Sequence, residues 1–435
     1  MQIVVSAGAQ RQPDSSALQA EAVSTIQAYI RINTSNPPGD VTKAADFLRT
    51  ILQREGVPVT MYEPGPGRSI VVARLKGRGF AKPVLLLQHM DVVPTDSTQW
   101  RHDPFAGDIA DGNIWGRGAI DMKGPSIVQL MAFLLLKRQN VPLDRDVILM
   151  AVPDEEIGGP LGAEWMLKNH FAELDPEYIL DEGGVGSRDL FAPGKLVFGI
   201  SVAEKKLLWL KLRAEGVSGH ASQPNGQNPN DRLTRALTRL LSEPLPTSPF
   251  SVIETMKSRV GPLIDNKFNN AIQHSTISIT TLRSGVGDPP KVNVIPSVAE
   301  ATLDCRVLPG TTKDQWLVEI RRRLGDPSIG IEVINEGEDA VASTQDSSFY
   351  RALESAVKRK HPDAIVTPIV VPFTTDSNKW RPRGVKSYGF TPVIVPAAAV
   401  DSMHGDAEFL PVDSIVPAIQ ILFDALKETA GTPMR

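Results

Sequence analysis

The chain has 435 residues, 41% apolar and 22% charged, which is room for two or three domains with sizeable cores and excludes a disordered or fibrous protein. Forty-six basic against 50 acidic residues leave a formal charge of −4, and no Lys/Arg-rich run is present to neutralise a phosphate backbone, so no nucleic-acid partner is expected. A lone cysteine, Cys305, excludes an internal disulfide and a zinc-thiolate site; any metal must sit on His and carboxylates.

Met1 to Gln10 carries a short apolar run and then Ala7-Gly8-Ala9, which reads as a trimmed signal remnant and leaves the compartment open between cytoplasm and export. Apolar residues Leu18, Ala22, Ile26 and Ile30 recur at helical spacing, and a second helix is expected over about 41–55, beyond the Asn36-Pro37-Pro38-Gly39 turn. Three apolar runs, 69–75, 84–88 and 146–152, have strand length and β-branched content. A helix at 124–140 lies between the last two; its run Ile127 to Leu136 is about half the roughly 20 residues a bilayer crossing needs. Strands alternating with helices imply an α/β layer with a mostly parallel sheet, whose chemistry gathers at the carboxyl ends of the strands.

The texture changes after Glu182-Gly183-Gly184. Strand-like stretches at 205–215, 275–283, 299–307 and 330–335 and helices at 230–242 and 313–324 give the order strand-helix-strand-strand-helix-strand, a ferredoxin-like α+β unit. The expected organisation is a catalytic domain over 1–200, an inserted lid over 201–338, and the rest of the catalytic domain over 339–435. That last part should hold a helix at 347–359, strands near 365–370 and 392–395, and a final helix at 412–429.

Chemistry-bearing residues recur where predicted strands end. His89 follows VLLLQ, with Asp91 two residues on; a metal-bound imidazole usually donates its other N–H to such a partner. Asp121 stands before a long helix in the loop Gly116-Arg117-Gly118-Ala119-Ile120-Asp121-Met122-Lys123-Gly124, where a carboxylate either caps the helix or serves one cation with each oxygen. Glu155 and Glu156 end DVILMAV, and adjacent glutamates there repel unless a cation lies beside them. Asp181-Glu182 repeats the placement after Tyr178 to Leu180, and His404 supplies a second imidazole. Two His and three or four carboxylates, each in a loop after a strand, make a five-ligand dinuclear site.

In order and wording the motifs HMDVVP, GRGAIDMKG, DEEIGG, LDEGG, GHASQP, NVIP and HGDAE resemble the M20 family of metallopeptidases and amidohydrolases, from about Ala20 to the last helix. The resemblance implies a zinc-peptidase-like α/β/α catalytic domain and two Zn²⁺ per chain, with Mn²⁺ or Co²⁺ as substitutes. His89 and Glu182 would hold one metal, Glu156 and His404 the other, and Asp121 would bridge, followed by a cis peptide. Asp181 is adjacent to Glu182 and is the alternative fourth ligand. Glu155 would be the general base and Asp91 the partner of His89. His220, in the lid motif, would donate to the carbonyl oxygen of a substrate held by the partner subunit of a homodimer; Asn293 and Arg306 would grip the substrate carboxylate, with Thr375 at the pocket. The activity implied is hydrolysis of amide bonds in dipeptides or N-acyl amino acids. An M28-type aminopeptidase is the alternative among enzymes, but it lacks a lid carrying such a motif; a peptide-binding protein with a dead metal site is the alternative outside them. His102, His170, His274 and His361 match no motif, and Cys305 is expected in the core.

Overall fold

The computed structural model describes residues 15–245 and 250–432; Met1 to Gln10 lies outside them. A nine-stranded sheet dominates the larger unit, running Val59–Tyr62, Ile70–Leu75, Val147–Val152, Val84–His89, Tyr178–Asp181, Lys386–Gly389, Val197–Glu204 and Ile365–Val371, with Gly186–Ser187 beside Val197–Glu204. Its centre is parallel: Val84–His89 pairs in parallel with Val147–Val152 and with Tyr178–Asp181, which pairs in parallel with Lys386–Gly389. Successive residues of these strands enter two different cores. Leu86, Leu149 and Leu180 face one, and Leu85, Leu87, Ile148, Met150 and Ile179 the other. Burial on both faces is why the strands read as unbroken apolar runs.

The first core is covered by helices Ser15–Ile30, Lys123–Arg138, Ser348–Lys360 and Ile415–Ala430, and the second by Ala163–Leu174 with Trp380. This is a three-layer α/β/α arrangement around a mostly parallel sheet, as expected. Because three neighbouring parallel strands run the same way, His89, the 154–156 turn and Asp181-Glu182 emerge at one edge.

The second sheet runs Thr276–Ser284, Val298–Val307, Lys206–Glu215, Gly330–Glu336, all antiparallel, with helices Pro229–Ser242 and Lys313–Leu324 packed on it. This is the ferredoxin-like order, and Val298–Val307 shows the half-buried alternation its sequence implied, with Cys305 on the buried side.

Several features differ from the sequence reading: Val59–Tyr62 and Val197–Glu204 are unforeseen strands of the large sheet, the latter crossing the expected lid boundary at 201. Lys386–Gly389 is a central strand, whereas 392–395 only touches the sheet through a bridge between Gly186 and Ile394. Four residues with one aromatic carry too little β signal to be found by pattern. The stretch between the lid's first helix and Thr276 is not lid at all in its packing. Helices Ser251–Val260 and Lys267–Gln273 place Val252, Ile253, Met256, Phe268 and Ile272 in the larger unit's core. Buried Asn269 fastens the second helix by donating from Nδ2 to the carbonyls of Leu190 (2.8 Å) and Ile264 (2.9 Å). Replacing Asn269 with Leu, which keeps the size and removes both bonds, should cost about 1–3 kcal/mol in a chemical denaturation curve; no loss would mean that the helix is not anchored there.

Candidate dinuclear metal centre

Each candidate ligand arrives on a different element. His89 ends its strand and is buried, with backbone N–H to Met122 Sδ at 3.3 Å. Its Nε2 faces Asp121 Oδ1 at 3.1 Å and Glu182 Oε1 at 3.5 Å. His404 arrives from the end of the chain with φ of 62°, in the left-handed region that non-glycine residues seldom adopt. Its Nε2 faces Asp121 Oδ2 at 3.2 Å and Glu156 Oε2 at 3.3 Å. Asp121 therefore turns one oxygen toward each imidazole, and the Asp121-Met122 peptide is cis. Donor atoms of His89, Glu155 and Glu182 lie within 4.8 Å of one another, as do those of His89, Asp121 and Glu156. The structure thus brings together all five candidate ligands and Glu155.

So many acids in one place repel. Burial, followed by the charge of Glu182, holds the Glu155 carboxyl well above its usual range. Burial and Asp121 do the same to Glu182. Although burial works the other way, the two imidazoles hold Asp121 low, and hydrogen bonds to Asp121 and then to Glu156 push His404 up to about 10. The protein by itself balances this cluster with protons on imidazole; cations between the donors would do so more completely.

The adjacent acids are used differently. Asp181 accepts from the Ser377 amide (2.9 Å) and hydroxyl (2.8 Å) with one oxygen and from the Glu182 amide (2.9 Å) with the other. Its carboxylate is spent on the protein, which leaves Glu182 to face the centre. Asp91 corrects the expected contact. His89 Nδ1 lies 2.9 Å from the Asp91 backbone oxygen and 3.8 Å from its carboxylate. The carbonyl orients the ring, while the carboxylate accepts from Asn36 Nδ2 (2.9 Å) and from the amides of Glu155 (3.2 Å) and Glu156 (3.3 Å). It ties the 154–156 turn to the His89 strand.

Glu408 was missed by the sequence reading as a functional residue. Fully buried, it accepts from Arg117 Nη1 (2.7 Å) and from the amides of Gly118 (3.1 Å), Ile120 (2.8 Å) and Asp121 (3.0 Å). Arg117 also donates to the Gly405 carbonyl at 2.9 Å. The pair locks the Asp121 loop to the His404 loop. Both residues stand inside quoted motifs, but nothing in their spacing shows that they meet across 291 positions.

Of the candidate substrate contacts, Thr375 is not placed as expected. It is buried, its hydroxyl and amide both donating to Glu204 (2.7 Å each), so it braces a wall and offers no free donor. Arg306 is gripped by Asp304 through Nε (2.8 Å) and Nη2 (3.1 Å) and reaches Thr374 Oγ1 at 3.2 Å, linking lid to catalytic unit. His220, on the short strand Gly219–His220, pairs with Val294 of Val294–Ile295, and Asn293, just before that strand, accepts from the Ala221 amide at 3.0 Å with its carbonyl; both are exposed. Among the described residues no hydrogen bond joins His220 to the five ligands.

The sequence profile of Peptidase family M20/M25/M40 matches residues 85–428. The chain belongs to peptidase family M20. It is a metallo-hydrolase of amide bonds, and membership sets aside the M28-type alternative. Aminoacylase-1 of Mus musculus is 28% identical over 95% of this chain and 96% of its own length. Probable carboxypeptidase S-like 2 of Dictyostelium discoideum is 29% identical over 80% of this chain and 72% of its own. The solved M20 family metallo-carboxypeptidase Sso-CP2 from Sulfolobus solfataricus superposes over 94% of this chain and 98% of its own, with a TM-score of 0.73 at 20% identity.

Because Glu408 holds both metal loops of this M20 hydrolase, Glu408→Ala should leave Arg117 buried and unpaired at a cost of about 3–5 kcal/mol. It should also weaken zinc binding roughly 10- to 100-fold in a competition titration against a chelator. Wild-type affinity in a stable variant would remove the bracing role.

Proposed function

We propose that this M20 protein is a dinuclear zinc hydrolase of dipeptides or N-acyl amino acids, and the orientation of Asp121, one oxygen toward each histidine, carries the proposal. His89 and Glu182 would hold one ion, His404 and Glu156 the other, with Asp121 shared. The donors suit such ions. They are imidazole nitrogens and carboxylate oxygens, which fit zinc and also accept manganese or cobalt. Glu156 Oε1 is buried without a hydrogen-bond partner, a vacancy in bonding that a cation would fill. When bound, two such ions supply Lewis acidity and lower the pKa of water far enough for hydroxide chemistry near neutral pH.

The chain's own residues supply the rest. Glu155 stands within reach of His89 and Glu182 but outside the bridging set. Its raised affinity for a proton suits it to take one from the attacking water and deliver it to the leaving amine. On the lid, Ser222 donates its amide (3.2 Å) to His220 Nδ1, so the proton of the neutral ring is on Nε2. That leaves an exposed N–H to donate to a carbonyl oxygen as charge develops there. Arg306 and Asn293 would hold the substrate carboxylate, the former once its fork is shared between Asp304 and substrate. In this proposal His220 acts across a homodimer formed through the lid.

The test is metal content together with hydrolysis. About two ions per chain, activity lost on chelation and restored by zinc, and a kcat in Glu155→Ala lower by about 10²- to 10⁴-fold with both ions retained are expected. Near-normal kcat in that variant would transfer the proton to another group; two bound ions with no turnover on any amide would favour a binding protein.

A further inference from the structure

The turn Asn36-Pro37-Pro38-Gly39 takes no part in the proposed chemistry, yet the fold carries it against the 154–156 turn. Asn36 is buried, as are Asp91 and Asp154. Its Nδ2 donates to Asp91 Oδ2 at 2.9 Å and to Asp154 Oδ1 at 3.0 Å. Two buried carboxylates therefore share a single neutral group. An asparagine amide suits that place because it brings two N–H donors and no charge. An aspartate there would add a third acid, and an alanine would leave the two acids to repel one another.

Asn36 is itself held from several sides. Residues 34–36 lie along the segment just after His89: the Asn36 amide donates to the Val92 carbonyl (2.8 Å), the Val92 amide to that of Thr34 (3.2 Å) and the Thr34 hydroxyl to that of Met90 (2.7 Å). Gly39 has φ of 74°, and a β-carbon on it would lie 2.6 Å from the Asn36 side chain, so glycine leaves the room that the amide fills. Arg68 joins the same turn to Asp154. Its Nη1 and Nη2 donate to the carbonyls of Gly39 (2.7 Å) and Pro38 (2.8 Å), and its Nε stands 2.7 Å from Asp154 Oδ1.

Both glutamates ride on the turn that Asn36 reaches, but they differ in what else holds them. Asp154 opens the turn with φ of 67°, in the left-handed region, and its carbonyl accepts from the amides of Ile157 (3.2 Å) and Gly159 (2.6 Å). Asp91 takes the amides of Glu155 and Glu156. Asn36 thus joins the two acids that fix the turn at its first residue and at its next two amides. In the proposed centre a cation would hold Glu156 from the other side. The Glu155 carboxylate stands outside that set and makes no hydrogen bond among the described residues, so the turn sets where it points.

We propose that Asn36 is the positioning residue of Glu155: by joining Asp91 to Asp154 it fixes the turn from which Glu155 delivers a proton to the leaving amine. The inference rests on the reading of Glu155 as the general base, and it assigns Asn36 no contact with substrate.

The experiment compares an N-acyl amino acid with the O-acyl ester of the matching hydroxy acid, on zinc-loaded full-length protein. The amine needs a proton on its nitrogen as the C–N bond breaks, whereas the alkoxide of the ester can leave without one. The amide-to-ester ratio of kcat therefore reads proton delivery, and loss of folded protein does not move it. In Glu155→Ala the ratio should fall by about 100-fold or more. Asn36→Ala should lower it by about 10- to 100-fold, with KM little changed and two zinc ions per chain retained. Asn36→Ser, which keeps one donor, is the milder second variant and should fall between wild type and Asn36→Ala. A ratio unchanged in both Asn36 variants while Glu155→Ala lowers it overturns the positioning role and leaves the base reading standing. So does loss of one zinc ion with the ratio unchanged, which would put Asn36 behind Glu156 instead. A ratio that Glu155→Ala itself leaves unchanged overturns the base reading and the proposal together.

Discussion

Acids held together at one sheet edge impose the constraint on which this structure depends. Asp121, Glu155, Glu156 and Glu182 converge with two imidazoles where three parallel strands end. Their charges oppose one another and burial worsens the opposition, as the raised carboxyls of Glu155 and Glu182 show. Such an arrangement persists only if the fold forces it and something positive repays it. A proton on His404, whose pKa its contacts with Asp121 and Glu156 push up to about 10, would do this in part. The proposed pair of cations sharing Asp121 would do it more fully, and such ions would also serve amide hydrolysis.

The forcing is done by a second layer of acids that never face the centre. Asp91 gathers the amides of Glu155 and Glu156, Asp181 binds Ser377, and Glu408 gathers three amides and Arg117. Each spends its charge on backbone N–H groups or a paired guanidinium, where buried charge is tolerated. Loops that enter from residues 89, 121, 155, 182 and 404 are thereby held to one geometry. The inserted segment contributes at two levels, a ferredoxin-like lid carrying His220 and Asn293, and an excursion that returns Phe268 to the core of the larger unit.

Much of this was readable from sequence because the signals were local. Runs such as VLLLQ and DVILMAV announce strands buried on both faces, and acids or a histidine placed just after them point to a strand-end site. What was not readable depended on distance. The helix Lys267–Gln273 shows its apolar residues but not which core will take them. Thr375 was expected at the pocket, yet Glu204, 171 positions earlier, claims both its donors. His89 turns to the Asp91 carbonyl, at 2.9 Å, rather than to its carboxylate, at 3.8 Å, a choice that no residue spacing encodes. Lys386–Gly389 is a strand because of its neighbours, not its own composition.

The most direct measurement is an anomalous-scattering map of zinc-loaded crystals. The account predicts two zinc peaks about 3.5–4 Å apart with the Asp121 carboxylate between them. One should lie among His89 and Glu182 and the other among His404 and Glu156. A single peak, or two peaks that do not share Asp121, would contradict it.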